Sequence, residues 1–292
     1  MKLRKRCPIC SNSVSLLKTV DGIDILECKN CEIGISAKIK ETNLYKKSGQ
    51  YNLAAYKLTE AGQIKKFESI ADFVNKLGVK SVLEIGAGYG LFSKILSRNK
   101  KLQIEIVEPN LLPIYISSDN KITKHRVDFD KFYSRNNKTF DLVILLDVFE
   151  HLDSPRQELR KFKNLLNKRG RLLILLPNYK SLMAKLCKNW SWWMVEDHRY
   201  HFSPRSITKM LGEENFEIKK LSSFESLHDF KKNLDGNFSE IKISTLRKFC
   251  KGLFYLLFFP AYLLLRKIGW RLGLGGLILV LAEKNDNDAF TI

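Results

Sequence analysis

Short apolar runs that alternate with amphipathic helical patterns constrain the fold of this 292-residue chain more than any other feature. Segments 91–99 and 156–168 place apolar residues three to four positions apart, as the crossover helices of a sheet do. The apolar runs on either side of them are rich in β-branched residues or leucine and end at turn residues, as buried parallel strands do. These runs are 81–86, 104–109, 140–148 and 171–178. The alternation predicts a doubly wound α/β sheet.

Two later segments, 216–224 and 276–284, look like a final strand pair that follows one more helix. That helix is predicted from its end signals. Ser203 is a favourable N-cap, Pro204 suits the first turn, and Gly212 is expected just past the last turn.

A glycine-rich loop joins the first strand to the first helix of this sheet. Glycines at 86, 88 and 90 allow a ligand to approach backbone that a Cβ atom would shield. Leu91 stands where a dinucleotide-binding fingerprint requires a small residue, which lowers the odds of a nicotinamide enzyme. No Gly-Lys-Ser/Thr follows the glycines, which excludes a Walker phosphate loop.

Two acidic residues follow the next strands along the chain. Glu108 ends the second strand, roughly 20 residues beyond the glycines, where an acid in such sheets binds the ribose hydroxyls of an adenosine-containing cofactor. Asp128 follows a weaker third strand and could accept a hydrogen bond from an adenine amino group. A solvated loop acid is the alternative for each, and only the whole set is persuasive.

The ordered set VLEIGAGYG, VEPN, VDFD and DLVILLDVFEHLDSP (141–155) resembles the class I S-adenosylmethionine-dependent methyltransferases. The last stretch is similar to that of the ubiquinone-biosynthesis-type O-methyltransferases. The resemblance covers about residues 58–224 and 276–284. It implies a Rossmann-like, seven-stranded methyltransferase sheet, S-adenosylmethionine as the cofactor, and methyl transfer as the activity.

The same resemblance implies which residues hold the cofactor. Glu84 and the glycine loop would contact its methionine and ribose parts, Glu108 its ribose, and Asp128 with Phe129 its adenine. Asp147 and Val148, at the end of the apolar run 140–148, would lie beside the sulfonium and adenosine. The implied cofactor-binding residues are Glu84, Gly86, Ala87, Gly88, Gly90, Glu108, Asp128, Phe129, Asp147 and Val148.

Three side chains are candidates for acid–base chemistry. Asp147, Glu150 and His151 follow a strand end, where open α/β sheets bind their ligands. In the ubiquinone-type relatives this acid-x-x-Glu-His arrangement is associated with the acceptor and a divalent metal, so Glu150 and His151 are candidate bases or ligands. The alternative is that they only cap the next helix. His201, in a stretch that resembles the acceptor-pocket closure of relatives, is a third catalytic candidate. A structural or metal-binding histidine is the alternative there.

Four of the six cysteines lie within the first 31 residues as two Cys-x-x-Cys pairs: Cys7, Cys10, Cys28 and Cys31. Two pairs separated by 17 residues have the spacing of a zinc ribbon, in which four thiolates close a structural tetrahedron. A redox-active pair is the alternative, and it lacks a thioredoxin-like setting. So few cysteines, with no apolar segment before Cys7, indicate a reducing cytoplasmic compartment.

An uninterrupted apolar run, 253–265, lies between basic residues near the carboxyl end. As one helix it would span about 20 Å, too short to cross the roughly 30 Å hydrocarbon layer. Pro260 predicts a kink, and the flanking lysines and arginines would suit anionic headgroups. We expect a monotopic or re-entrant membrane contact. A buried helical insertion and a true membrane span are the alternatives.

These segments predict four parts: a zinc ribbon at 1–45, a linker and leading helix at 46–80, a methyltransferase domain at 81–284 with an apolar insertion at 246–272, and a tail at 285–292. We expect methyl transfer to a lipid-linked or otherwise apolar small molecule, by a protein peripheral to the inner face of the membrane. The formal net charge of +19 leaves an RNA base methyltransferase as the runner-up. A soluble activated sugar as acceptor, and a zinc-ribbon binding module on a scaffold core, also stay open.

Overall fold

The computed structural model describes residues 6–37, 53–110, 114–116, 121–239 and 241–285. Its strands are β1 (Ser15–Val20), β2 (Ile23–Cys28), β3 (Ile33–Ser36), β4 (Ser81–Ile85), β5 (Gln103–Val107), β6 (Ile122–His125), β7 (Phe140–Leu146), β8 (Leu166–Pro177), β9 (Tyr200–His201), β10 (Phe216–Phe224) and β11 (Leu277–Lys284). Its helices are α1 (Leu53–Asn75), α2 (Leu91–Leu96), α3 (Phe129–Arg135), α4 (Pro155–Asn164), α5 (Leu182–Leu186), α6 (Pro204–Glu213), α7 (Leu227–Phe238), α8 (Ser244–Leu257) and α9 (Phe259–Arg271), and a 3-10 turn covers Phe149–His151.

Seven strands form one sheet in the order β10-β11-β8-β7-β4-β5-β6. The pairs β4–β5, β5–β6, β4–β7 and β7–β8 are parallel. Helix α2 lies between β4 and β5, α3 between β6 and β7, and α4 between β7 and β8, as in a doubly wound α/β fold. The predicted Rossmann-like, seven-stranded sheet is confirmed.

Strand β4 is the point at which the strand order reverses, since β5 lies on one side of it and β7 on the other. Its residues Val82 and Leu83 are fully buried, as are Val143 and Ile144 of β7. Continuous apolar strands of this kind need helices over both faces of the sheet. The carboxyl ends of β4, β5, β6 and β7 meet at one edge, where open α/β sheets bind their ligands.

A second, four-stranded sheet has the order β1-β2-β3-β9. Strand β1 pairs with β2, β2 with β3, and β3 with β9, all antiparallel. The first Cys-x-x-Cys pair lies before β1, and in the second pair Cys28 ends β2 while Cys31 lies in the turn before β3. The amino-terminal ribbon sheet therefore includes a two-residue strand from far along the chain.

The chain divides into two compact units. One comprises residues 1–40, 176–209 and 221–279, and the other comprises 41–175, 210–220 and 280–292. This division differs from the predicted boundaries, because within the first unit β9 pairs with β3 and Ile25 of β2 packs with Tyr179 and Trp193 in one apolar core. Residues 38–52 of the predicted ribbon and linker, and 286–292 of the predicted tail, lie outside the described part of the chain.

Three helix ends were predicted wrongly. Helix α2 ends at Leu96 rather than at 99. Helix α4 ends at Asn164 rather than at 168, because β8 already begins at Leu166 with an irregular start in which Arg169 has φ 56°. Gly212 lies inside α6, and Asn215 (φ 61°) is the left-handed residue after that helix. At the other end of α6, the Ser206 N–H donates to Ser203 Oγ, which confirms Ser203 as the N-cap.

Candidate cofactor and metal sites

The glycine loop leaves the carboxyl end of β4 and ends where α2 begins. Gly86, Gly88 and Gly90 all have positive φ angles, of 77°, 54° and 81°. A Cβ atom on Gly86 would lie 2.4 Å from Val148 Cγ2, and one on Gly90 would lie 2.7 Å from Ile116 Cδ1. Among the described residues, a Cβ atom on Gly88 would meet no atom within 4 Å. Two of the glycines therefore allow close packing of the protein, and Gly88 lines open space that a ligand can enter.

Glu108 follows β5 and holds this loop in place. It is 2% exposed, and its carboxylate accepts the N–H of Gly88 at 3.1 Å and the N–H of Asn110 at 3.0 Å. An ionised carboxylate offers about four acceptor sites, so Glu108 can accept several hydrogen bonds at once. Its position at the strand end is the one that the sequence predicted for a ribose contact.

Glu84 lies inside β4 and is completely enclosed. Its carboxylate accepts a hydrogen bond from the Ser93 hydroxyl, in the first turns of α2. Burial raises the pKa of Glu84 to about 7, the Ser93 hydrogen bond lowers it, and the charge of Glu108 raises it. Glu84 thus connects the strand to the helix beneath the glycine loop.

Asp128 and Phe129 follow β6 at the same edge of the sheet. Asp128 is exposed and occupies the N-cap position of α3, yet its side chain makes no capping hydrogen bond. The Phe129 ring packs against Phe162, with 5.1 Å between ring centroids. The pair lies where the predicted adenine contact requires it, and that contact stays a prediction.

Asp147 follows β7 and has φ 56°, an uncommon conformation for a residue other than glycine. Its Oδ2 lies 3.0 Å from Nζ of Lys66, which α1 brings to the sheet. Its Oδ1 is buried and has no hydrogen-bond partner among the described residues. Val148 packs against Gly86. A buried acceptor atom at the edge of the sheet that also carries the glycine loop fits a bound polar cofactor such as S-adenosylmethionine.

Glu150 and His151 form the 3-10 turn after Asp147. Glu150 is buried, and burial together with the nearby Asp147 charge raises its pKa well above the usual range, whereas Lys66 lowers it. His151 is half-buried, and its N–H donates to the carbonyl of Val148 at 3.0 Å. The structure thus brings Asp147 and Glu150 together as predicted, and adds Lys66 to them.

Helix α1 supplies further side chains that the sequence patterns missed. The ring of Tyr56 lies 4.5 Å from that of Tyr89 in the glycine loop and 6.4 Å from that of Tyr115. The Tyr115 hydroxyl donates to Glu60 at 2.8 Å. A tyrosine cluster therefore covers one side of the glycine loop, and α1 is part of the site rather than only a leading helix.

His201, the third catalytic candidate, lies in β9 of the four-stranded sheet. Its Nε2 is 3.1 Å from the Ser36 hydroxyl, and its ring lies 5.2 Å from that of Trp193. Burial lowers the pKa of His201 to about 3, so the imidazole is neutral at physiological pH. These contacts suit a buried structural histidine, and a catalytic role for His201 stays a prediction.

The four amino-terminal cysteines meet as the sequence predicted. One sulfur from each of Cys7, Cys10, Cys28 and Cys31 lies within 4.8 Å of the others. A tetrahedral zinc ion with Zn–S bonds of about 2.3 Å has sulfur atoms about 3.8 Å apart. Ile9 N–H donates to Cys7 Sγ at 3.4 Å, and Asn12 Nδ2 donates to Cys10 Sγ at the same distance. The donor set and its supporting hydrogen bonds fit a four-thiolate zinc site.

Comparison with known proteins finds a matching family and two curated relatives. The profile of a family described as "Methyltransferase domain" matches residues 63–221. The mitochondrial ubiquinone biosynthesis O-methyltransferase of Dictyostelium discoideum is 24% identical over 163 residues, which are 48% of this chain and 51% of that protein. The ubiquinone biosynthesis O-methyltransferase of Rickettsia typhi is 24% identical over 166 residues, 53% of this chain and 67% of that one. The matches thus span about half of the first relative and two thirds of the second.

A solved structure shares the fold. It is a SAM-dependent methyltransferase from Thermotoga maritima, which superposes with a TM-score of 0.52 at 16% identity and covers 81% of this chain and 97% of that one. At this identity the likeness concerns the fold alone, and it supports the strand order found here.

Proposed function

The chain belongs to the methyltransferase domain family, and from this premise we propose that it transfers a methyl group from S-adenosylmethionine to a lipid-linked or otherwise apolar small molecule at an anionic membrane face. Bound S-adenosylmethionine supplies the methyl group on a cationic sulfonium. Gly88 lets the cofactor approach the loop backbone, and Glu108 accepts hydrogen bonds from its ribose hydroxyls. Asp147 and Glu150 lie where the acceptor nucleophile is aligned with the methyl group.

The observation that carries the choice of acceptor is the exposed apolar surface of α8 and α9. Neither helix contains a buried residue. Phe254, Tyr255, Phe259 and Tyr262 pack against the apolar core of their unit, and large apolar side chains cover the other faces. These exposed side chains define the α8–α9 surface: Leu246, Phe249, Leu253, Leu256, Leu257, Phe258, Leu263, Leu264, Leu265, Ile268 and Leu272. So many exposed large apolar side chains on two neighbouring helices mark an interaction site.

The charges around the α8–α9 surface favour an anionic bilayer as its partner. Residues 241–282 contain no aspartate or glutamate. Basic side chains occur at both ends of the helix pair, namely Lys242, Arg247, Lys248, Lys251, Arg266, Lys267 and Arg271. The Arg266 guanidinium lies 5.3 Å from the centroid of the Trp270 ring, a pairing suited to the headgroup region. Apolar side chains bordered by cations are typical of interfacial membrane helices.

The geometry of the helix pair favours a contact on one leaflet. Within the described ranges, no single helix is long and apolar enough to cross a bilayer; α8 and α9 reach that length only when joined, and they are bent by 57°. The bend occurs at Phe258, just before Pro260 at the start of α9. Both helices are partly or fully exposed along their length, which favours a membrane contact over the alternative of a buried helical insertion.

We also propose that the four-cysteine cluster holds a structural zinc ion. Four thiolates complete a tetrahedron and leave no open position for a substrate. A small sheet of short strands such as β1–β3 gains much of its stability from such an ion. The zinc ribbon would then support the unit to which it belongs rather than take part in the chemistry.

The acceptor class can be tested by following the methyl group. The purified protein is incubated with methyl-labelled S-adenosylmethionine and a cell extract, which is then separated into lipid, RNA, protein and small soluble fractions. We expect label in the organic phase, and none with the Gly86→Asp variant. Label in RNA or in a water-soluble sugar fraction would contradict the proposed acceptor while leaving the methyltransferase activity intact.

The membrane contact can be tested by vesicle flotation. We expect the protein to float with phosphatidylcholine vesicles that contain phosphatidylserine and to float less with phosphatidylcholine alone. The variant Leu256→Glu/Leu264→Glu changes residues that are 73% and 79% exposed and should stay at the bottom of the gradient. Leu186→Glu, at a leucine of α5 that is 71% exposed, is the matched control and should float like the wild type. Equal flotation of all three proteins would argue against the α8–α9 surface as the contact.

A further inference from the structure

A buried lysine lies at the end of β7 and has no part in the functions described so far. Lys66, in the middle of α1, is 8% exposed, whereas its neighbour Lys65 is exposed to solvent. Its Nζ lies 3.0 Å from Asp147 Oδ2. A charged amine is costly to bury unless an opposite charge and hydrogen bonds compensate it. The pair therefore places a positive charge next to the acid that ends β7.

A second carboxylate shares this charge. Glu150, three residues after Asp147, is buried, and it interacts electrostatically with both Asp147 and Lys66. The charge of Asp147 disfavours a charge on Glu150, whereas the charge of Lys66 favours it. A side chain of the protein therefore offsets part of the repulsion between the two acids.

Its resemblance to the ubiquinone-type enzymes made the Asp147-x-x-Glu150-His151 set a candidate site for a divalent metal. We propose instead that the Lys66 ammonium is the built-in cation of this set and that methyl transfer here needs no divalent metal at Asp147. A divalent ion on Asp147 Oδ2 would lie close to Nζ of Lys66 and would be repelled by it. Metal binding at Asp147 would then require the lysine to leave or to lose its proton.

Lys66 is in this view a positioning residue. It holds the Asp147 carboxylate at the strand end, where the backbone adopts φ 56°, and it keeps one positive charge beside the acceptor position. This role in the reaction rests on the proposed methyl transfer. The competition between Lys66 and a divalent ion for Asp147 does not depend on it.

Mn²⁺ binding tests the proposal without a turnover assay. Binding is measured as the decrease in the electron-paramagnetic-resonance signal of free Mn²⁺. The zinc-loaded protein is compared with Lys66→Ala, with Lys65→Ala as the matched control on the same helix, and with Lys66→Ala/Asp147→Asn. We expect Lys66→Ala to bind Mn²⁺ about tenfold or more tightly than the wild type and Lys65→Ala, because the repelling charge is gone. Adding Asp147→Asn should abolish the gain. Mn²⁺ binding that is the same in the wild type and Lys66→Ala, whether present in both or absent from both, would overturn the proposal.

Two further measurements keep the test decisive. If Lys66→Ala does not fold, as judged by its circular dichroism spectrum, Lys66→Met retains the aliphatic length and takes its place. In the methyl-transfer assay, adding Mg²⁺ or Mn²⁺ should leave kcat and KM of the wild type unchanged, and a strict dependence on either ion would overturn the proposal. If no methyl transfer is found under any condition, the proposed function fails, and the Mn²⁺ comparison still decides whether Lys66 excludes the metal.

Discussion

The carboxylate of Glu108, at the end of β5, accepts the backbone N–H of Gly88 in the loop after β4, with 3.1 Å between oxygen and nitrogen. This bond joins two neighbouring parallel strands at their carboxyl ends, across the edge where the strand order reverses. It also fixes Gly88, the glycine of the loop that faces open space. One buried acid thereby shapes the loop and stands at the predicted ribose position.

We expect Glu108→Ala to weaken the binding of S-adenosylmethionine by about tenfold to a hundredfold, because a charge-assisted hydrogen-bonding partner is lost and the loop is released. Isothermal titration calorimetry measures the change. Glu108→Gln retains two acceptor lone pairs on its oxygen and should lose less. An affinity unchanged in Glu108→Ala would remove this residue from the cofactor site.

The three loop glycines should respond differently to alanine. Gly86→Ala places a Cβ atom 2.4 Å from Val148 Cγ2, so we expect it to lower both the melting temperature and the cofactor affinity. In the part of the chain that the structure describes, Gly88→Ala meets no atom within 4 Å, so we expect a small loss of stability, of about 1 kcal/mol from its positive φ, and a larger loss of binding. Isothermal titration calorimetry measures the change in cofactor affinity, and thermal melting measures the change in stability.

Gly212→Ala is the matched control for this series, since Gly212 lies inside α6 and its Cβ would also meet no atom within 4 Å. It should stabilise the protein by about 0.5–1 kcal/mol and leave binding unchanged. Gly88→Ala that binds S-adenosylmethionine as tightly as the wild type would show that the open space at Gly88 is not the cofactor cradle.

The four-cysteine cluster predicts one zinc ion per chain. Elemental analysis of the purified protein should find that ratio, and Cys28→Ser should lower both the zinc content and the melting temperature. Cys187→Ser is the control, because Cys187 is a buried free cysteine outside the cluster. Purified wild-type protein that folds and melts normally with no zinc would contradict a structural metal.

Glu225 should make stability depend on pH. Burial and the nearby Asp229 raise the pKa of Glu225 to about 8, while hydrogen bonds from Asn233 and Tyr262 lower it. The folded state therefore holds a proton that the unfolded state releases near pH 4.5, and the free energy of unfolding falls as pH rises from about 4.5 to 8. Glu225→Gln removes this effect, so its melting temperature should decline less over that range.

Thermal melts of the wild type and Glu225→Gln from pH 4.5 to pH 8.5 check this expectation. Glu84 and Glu150, buried acids whose pKa values are also raised, are present in both proteins, so the difference between the two profiles reports on Glu225. Parallel profiles would mean that Glu225 is already ionised in the folded protein.

The sheet and most of its ligand-binding edge were predictable because apolar strands, turn residues and strand-end acids leave strong local signals. Gly86, Glu108 and Asp147 lie where their positions after strands predicted. The pairing of β9 with β3 was not predictable, because a two-residue strand is too short to show an alternating apolar pattern. Gly34 and His201 are far apart in the sequence and become partners only when the chain folds.

Lys66 was missed for a different reason. Lysines on helices are usually solvated, and α1 has only weak amphipathic character. A signal was nevertheless present: Lys66 precedes Ile70 and Val74 at four-residue spacing, which places it on the stripe that the helix buries. A lysine on such a stripe requires an acidic partner, and which acid supplies it depends on the packing of α1 against the sheet.

The rate of methyl transfer to an acceptor carried in phosphatidylserine-containing vesicles tests the proposed membrane-face function most directly. It is compared for the wild type, Leu256→Glu/Leu264→Glu and Leu186→Glu, with the affinity for S-adenosylmethionine measured in parallel. We expect the double variant to transfer at least about tenfold more slowly, since two leucines no longer enter the bilayer, while all three proteins bind the cofactor equally. Equal transfer rates in the three proteins would contradict a membrane-face acceptor.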